Sequence, residues 1–240
     1  MEEKYFVLDL PSRLLPYGGK VTKVEARLLK GKDEKLIGEL TIQNFESKFA
    51  ILLRQIIRGI EPEELTIGDR FFIITWLSIN CYSNIYPVSG PCSVCFRDIN
   101  VDVDLGQLEK VYLDEKYSEP HEVKLLNGDT IKLRQYRVKD QIQYMDYVGR
   151  KQQENIIYKL AQSIVDEKDL ADRIAYLEEL STKDLALIRA FHDQYFHGVK
   201  MEYSYTCPKC GGAGTMPVPF RLDIIFPEGS TVARALGRRV

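Results

Sequence analysis

Two short cysteine motifs constrain this chain more than any other feature. One is Cys92-Ser93-Val94-Cys95 and the other is Cys207-Pro208-Lys209-Cys210-Gly211. Each is a C-x-x-C pair, and together they supply the four thiolates of a closed tetrahedral zinc site. The pairs are separated by residues 96–206. Any site they share must therefore hold distant parts of the chain together. A shell of four thiolates has no open coordination position and cannot activate water. Its contribution would be folding free energy, present only when metal is bound. Buried unpaired thiols would not account for two C-x-x-C pairs that are each flanked by alternating strands. A redox pair is disfavoured because neither motif opens a helix after a strand. Iron–sulfur ligation is the other chemistry four thiolates suit. The expectation is one structural zinc per chain, held by Cys92, Cys95, Cys207 and Cys210.

The 240 residues carry a net charge of −2, with 45% hydrophobic and 28% charged residues. That is a globular composition with enough apolar material for a sizeable core. The balance argues against a nucleic-acid surface covering the protein. No apolar run approaches the length that spans a bilayer. Met1-Glu2-Glu3-Lys4 lacks the apolar region of a signal peptide, so the expected compartment is reducing, where C-x-x-C pairs favour metal over disulfides.

Taken in order, residues 4–10 and 20–29 read as strands, with a turn-rich apolar segment, 14–19, between them. Gly31–Glu34 reads as a charged turn. Thr41 opens a helix to about Arg58, with Phe45, Phe49, Leu52, Leu53, Ile56 and Ile57 on one face. Thr66 and Asp69 form a capping signal for a second helix to about Tyr82 that is apolar nearly all round, and so expected to be buried. Strands then flank the first cysteine pair (85–88 and 99–105). Asn127-Gly128 marks a hairpin within 121–138. Helices are expected over 140–164, 167–180 and 181–196. Strands flank the second pair, and an Arg-containing tail follows (Arg234, Arg238 and Arg239, with Arg221 just upstream).

An offset of 115 residues maps Cys92 onto Cys207, Cys95 onto Cys210, Asp69 onto Asp184, Ile73 onto Ile188 and Val103 onto Val218. Helix, strand, C-x-x-C, strand thus occurs twice. The spacing predicts an α+β chain of two similar helix–β-hairpin halves, residues 1–115 and 116–226, joined by a shared zinc-ribbon-like site on a pseudo-twofold axis. Residues 227–240 are expected to be an extended arm.

Little else carries chemistry. His192 and His197 lie five apart, off a common helical face, and read as surface or interface residues. His121 is isolated at a strand start. Glu63-Glu64 and Glu178-Glu179 read as solvated helix ends, and Cys81 as a buried small hydrophobe. Gly211–Gly214 reads as a hairpin tip rather than a phosphate loop. No nucleophile stands at an interpretable spacing from a base, so no enzyme is expected. Arg134, Arg137, Lys139 and the tail arginines could form a basic patch, which keeps a zinc-ribbon nucleic-acid module as an alternative.

The order of motifs resembles the baseplate hub and hub-assembly proteins of T-even-type tailed phages. The resemblance rests on Leu10-Pro11-Ser12 with Tyr17-Gly18 at the start, the helix from Asp69 closing at Asn80-Cys81-Tyr82-Ser83, and the Cys207-Pro208-Lys209-Cys210-Gly211 knuckle. The first knuckle departs from the family pattern, with Ser93 for Pro and Phe96 for Gly, and Arg13-Leu14-Leu15 stands where the family has its Gly. The resemblance implies a structural or assembly role in a contractile tail, a place in the virion baseplate after assembly in the host cytoplasm, and other tail proteins as partners. From the residues, no small-molecule substrate or membrane is expected as a partner, and nucleic acid ranks below other tail proteins. An assembly chaperone absent from the finished particle shares the same features. The N-terminal apolar segment and the C-terminal tail are expected to reach neighbouring subunits.

Overall fold

The computed structural model describes residues 3–166 and 168–226. The chain is a mixed α/β protein built on small sheets. Its elements are β1 (Phe6–Val7), β2 (Glu25–Ala26), α1 (Gly31–Gly38), α2 (Phe45–Ile56), β3 (Ile57–Arg58) and α3 (Ile67–Cys81). These are followed by β4 (Ile85–Pro91), β5 (Asp98–Asp104), β6 (Lys110–Val111), β7 (His121–Lys124), β8 (Thr130–Leu133), α4 (Val138–Lys151) and α5 (Ile156–Ser163). The last are α6 (Leu170–Glu178), α7 (Thr182–Gln194), β9 (Gly198–Val199), β10 (Glu202–Thr206), β11 (Ala213–Pro217) and α8 (Leu222–Ile225).

α3 is the centre of the larger core. Ile73, Ile74 and Leu77 are fully buried there, beside Phe49, Leu52, Leu53 and Ile56 of α2. The burial is not all round: Phe71, Trp76 and Ile79 are only half-buried. Both cysteine hairpins belong to this core, β4–β5 through Tyr86, Val88, Ile99 and Val103, and β10–β11 through Tyr205 and Met216. A second core lies around Leu133, Leu160, Ala161, Leu177, Ile188 and Phe191.

Three expected elements come out differently. The charged tetrad Gly31–Glu34 is the first turn of α1. Buried Asp33 accepts the Lys30 N–H at 2.8 Å and both Arg27 guanidinium nitrogens at 2.6 and 2.9 Å, so the N–H just before the helix and the buried carboxylate satisfy each other. The long helix over 140–164 is two helices. Gln152 turns left-handed at φ 52°, and Asn155 recaps the chain by accepting the Tyr158 N–H at 3.1 Å. The Asn127-Gly128 turn is a longer connection closed by the Leu125 N–H on the Asp129 carbonyl at 2.8 Å.

The N-terminal apolar segment does not reach outward. Leu10, Pro11, Ser12, Pro16 and Tyr17 are buried against their own chain. The Ser12 N–H and the Tyr17 hydroxyl donate to buried Asp69 at 2.9 and 2.6 Å. An acidic side chain inside the first turn of α3 needs such donors, and this segment brings them. The tail over 227–240 lies outside the described residues.

One hydrogen-bond pattern occurs twice in chain order. Phe6 pairs with Ala26 and Ala26 with Ile57; His121 pairs with Leu133, which bridges to Ile164. The Arg27 N–H meets the Ile56 carbonyl at 3.0 Å, and the Arg134 N–H meets the Ser163 carbonyl at 2.9 Å. Arg134 clamps Asp140 at 2.6 and 2.9 Å, the same two distances as Arg27 on Asp33. Thr66 caps α3 by accepting the Asp69 N–H, and Ser181 caps α7 by accepting the Asp184 N–H. These correspondences need an offset of 107 for the clamps and 115 for the caps. The first copy is longer between its first two strands, where the Leu10–Tyr17 segment lies, and the second is longer before its cap, where α6 lies.

Candidate metal centre

β4 ends at Pro91, and the chain then turns sharply. The Cys92 N–H meets the Arg97 carbonyl and the Phe96 N–H returns to the Cys92 carbonyl, each at 2.9 Å. The Val94 N–H points at the Cys92 Sγ at 3.3 Å. β10 ends in the same turn. The Cys207 N–H meets the Gly212 carbonyl and the Gly211 N–H meets the Cys207 carbonyl, each at 2.9 Å, while the Lys209 N–H points at the Cys207 Sγ at 3.4 Å. Both turns require one left-handed residue. Gly211 supplies it at φ 71°, but in the first knuckle Phe96 does, at φ 58°.

The two knuckles are locked face to face. The Ser93 N–H donates to the Tyr205 hydroxyl at 3.0 Å, and Lys209 Nζ donates to the Asp98 carbonyl at 2.6 Å. The Tyr86 hydroxyl donates to the Pro219 carbonyl and accepts the Arg221 N–H at 3.0 Å.

This docking brings together the four cysteines singled out in the sequence. The four sulfur atoms of Cys92, Cys95, Cys207 and Cys210 lie within 4.8 Å of one another, with Cys95 and Cys207 at 3.9 Å. Thiolates about 2.3 Å from a tetrahedral centre stand about 3.8 Å apart. Cys92 and Cys207 are buried, Cys95 is half-buried and Cys210 is exposed. The backbone N–H groups of Cys95 and Val94 hold the Cys92 thiol down at about 6, so it is prepared to lose its proton. Four cysteines so arranged could bind a metal ion. Cys81, expected to be a buried small hydrophobe, is half-buried and accepts the Leu29 N–H at 3.3 Å.

His192 and His197 are less exposed than the sequence suggested, while His121 does open a strand, β7. His197 is buried, 4% exposed. Its Nδ1 donates to the Tyr195 carbonyl at 3.2 Å, which leaves Nε2 to accept the Thr66 hydroxyl at 2.7 Å. Burial lowers its pKa, consistent with a neutral ring. Gly68 and Gly198 permit the close contact, which the sequence does not announce because they lie far apart in the chain. A Cβ at Gly68 would lie 2.1 Å from the His197 carbonyl oxygen. His192 is stacked on Tyr136 with ring centroids 4.1 Å apart, and His121 lies among Tyr117, Phe191 and Tyr195.

The basic patch considered above does not form from its internal members. Arg134 pairs with Asp140, Arg137 with Glu119 and Lys139 with Glu64. Among the described residues, no helix is long and apolar enough to cross a membrane.

Comparison with known proteins follows the same direction. No curated protein and no solved structure shows a significant match. The family model described as T4 bacteriophage base plate protein matches residues 10–226, a span that runs from the Asp69-capping segment through both knuckles to the end of α8. The chain belongs to the T4 bacteriophage base plate protein family.

Proposed function

We propose that this protein is a non-catalytic structural component of a contractile-tailed phage baseplate, at or near the hub, that holds neighbouring subunits through protein–protein contacts. The observation that carries this reading is the family match over residues 10–226. Mass spectrometry of purified virions tests it. Recovery of the chain in tails at stoichiometric amounts is expected. Its absence from particles that need it for assembly would identify an assembly chaperone instead.

Within that role, a single zinc held by Cys92, Cys95, Cys207 and Cys210 fastens the scaffold. The spacing of the four sulfurs and the paired knuckle hydrogen bonds support this. Such a closed shell supplies stability rather than chemistry. The scaffold consists of two similar halves, 1–115 and 116–226, a reading supported by the repeated clamps, caps and knuckles. The zinc lies between the halves, joining hairpins that the linear sequence keeps far apart. The arm over 227–240 contacts a neighbour. Deleting 228–240 should reduce incorporation into baseplates, and unchanged incorporation would remove the arm from the mechanism.

A further inference from the structure

β4 and β5 form a two-stranded sheet, and its two outer edges differ. The phase of the ladder is fixed at both ends. The Leu105 N–H meets the Asn84 carbonyl at 2.8 Å, and the Cys92 N–H meets the Arg97 carbonyl at 2.9 Å. In the same register, Tyr86 with Val103, Val88 with Val101 and Gly90 with Ile99 are the hydrogen-bonded pairs. The backbone groups of the intervening residues therefore point outward. These are Ile85, Pro87, Ser89 and Pro91 on β4, and Asp98, Asn100, Asp102 and Asp104 on β5.

Two of the outward positions on β4 are proline, which has no N–H to offer and is confined in sheets to such places. That edge is closed to a further strand. β11 of the second hairpin is closed in the same way by Pro217. β5 carries no proline. Among the described residues no strand pairs with it on the outer side, and only its Asp98 carbonyl is taken, by Lys209 Nζ at 2.6 Å. An uncovered edge of this length is a template for another chain, and its side chains decide which chain.

In an antiparallel addition each outward residue faces one residue of the incoming strand, with Cβ atoms about 5 Å apart, so opposite charges attract and like charges repel. Asp98, Asn100 and Asp102 are exposed on β5. Asp104 is already engaged, accepting from Asn84 Nδ2 at 3.2 Å and the Gly106 N–H at 2.9 Å. The carboxylates of Asp98 and Asp102 have no partner among the described residues. A second β5 would set Asp against Asp, so the edge repels its own copy. It fits an extended segment with cations four residues apart and a neutral residue midway. The chain holds such a segment in Arg234-Ala235-Leu236-Gly237-Arg238. Antiparallel pairing sets Arg234 opposite Asp102, Leu236 opposite Asn100 and Arg238 opposite Asp98. A slip of two residues keeps at most one ion pair, and a slip of one turns both arginines to the other face.

We propose that residues 232–238 of one copy add as an antiparallel strand to the outer edge of β5 in a neighbouring copy. This rests on the reading above that the arm contacts a neighbour, and gives that neighbour and the place of contact. Main-chain hydrogen bonds at Asn100 and Asp102 supply the affinity, and the two ion pairs set the register. Each copy carries both an edge and an arm, so the contact runs head to tail from copy to copy.

The test uses full chains and two variants, Asp98→Lys/Asp102→Lys in the edge and Arg234→Glu/Arg238→Glu in the arm. Sedimentation equilibrium of the parent should show concentration-dependent association, with the Asn100 and Asp102 amides slow to exchange with deuterium. Each variant sets like charges opposite each other. Each should associate at least tenfold more weakly, with both amides exchanging fast. An equimolar mixture restores opposite charges between copies and should recover association and protection together. A mixture that stays dissociated overturns the proposal. So does a chain carrying all four changes that regains protection as a monomer, because its arm then pairs with its own β5. The arm variant leaves every described residue untouched, so unchanged association in it overturns the proposal whatever the edge variant does. The two readings fail separately. If deleting 228–240 lowers incorporation into baseplates while the mixture stays dissociated, the arm has another neighbour and only the β5 site falls. Recovery in the mixture with unchanged incorporation of the deleted chain supports the pairing and removes the arm from the baseplate.

Discussion

The two arginine–aspartate clamps share a design but not an environment. Arg27 and Asp33 have side chains 2% and 0% exposed, with Glu3 as an outer partner at 3.7 Å from Arg27 Nε. Arg134 and Asp140 are 21% and 6% exposed, and Arg134 also donates to the Gln162 carbonyl at 3.0 Å. The first clamp is sealed under the short helix α1, while the second borders a groove beside α4 and α5. The same local geometry therefore has different energetic weight. A charge stranded in a dry site costs far more than one water can reach. The cysteine knuckles join these unequal surroundings, and substitutions that compare the two sides show whether they behave as copies.

The largest effect should come from the knuckles themselves. Cys92→Ser and Cys207→Ser lie in different hairpins but should have the same consequence, because each removes one ligand of the proposed shell. Metal analysis of the parent should give one zinc per chain, and both variants should lose it. Structural zinc contributes on the order of 10 kcal/mol of apparent binding free energy in small zinc domains, so both variants and the chelated parent should melt far below the loaded protein. Zinc retained fully by either variant would break the single-site reading. Acid should release the metal as well, since protons compete for every thiolate.

The clamps come next. Arg27→Ala strands Asp33 and should cost about 3–5 kcal/mol by the usual penalty for breaking a buried pair. Arg134→Ala should cost less, about 1–2 kcal/mol, because Arg134 borders the groove and its removal opens a path for water to buried Asp140. Urea unfolding with unchanged m-values would read both. Equal losses would mean that exposure does not set the difference between the sites. The helix caps give a smaller contrast. Ser181→Ala removes an N-cap, about 1 kcal/mol. Thr66→Val removes the equivalent cap and also the hydroxyl that donates to buried His197, so it should cost about 1–2 kcal/mol more.

How much of this was legible in the residues depends on range. The cysteines were legible because C-x-x-C is a local motif with one dominant chemistry. Thr66 with Asp69 was legible for the same reason, as were the strands flanking each knuckle. The Arg27–Asp33 clamp was not. Charged residues near Gly31 look like a solvated turn until the tertiary fold buries them, and burial reverses what the charges mean. The correspondence of the knuckles and caps was visible at an offset of 115, but the two clamps correspond at 107, because the Leu10–Tyr17 segment lies between the first pair of strands and α6 lies before the second cap. An ungapped comparison cannot find both. The histidines were misjudged since their environment comes from residues far away: Thr66 for His197, and Tyr136 for His192. Helical spacing carries no information about such contacts.

The finest comparison sets Phe96 against Gly211. Both occupy the left-handed position of a cysteine knuckle, and both turns make the same hydrogen bonds. Left-handed backbone costs a residue with a Cβ roughly 1–2 kcal/mol relative to glycine. Phe96 offsets none of it by burial, since its side chain is 80% exposed. Phe96→Gly should therefore stabilise the loaded protein by about 1 kcal/mol and raise its melting temperature by a few degrees for a chain of this size. Gly211→Ala should do the reverse by a similar amount, and for backbone reasons alone, because a Cβ there meets nothing within 4 Å. Opposite shifts of matching size, with zinc retained in both, would show that the knuckles are equivalent in backbone and differ only in what the first presents at its tip. A Phe96→Gly variant that loses stability would mean that the exposed ring is held by contacts within the chain, and that the two knuckles are not interchangeable.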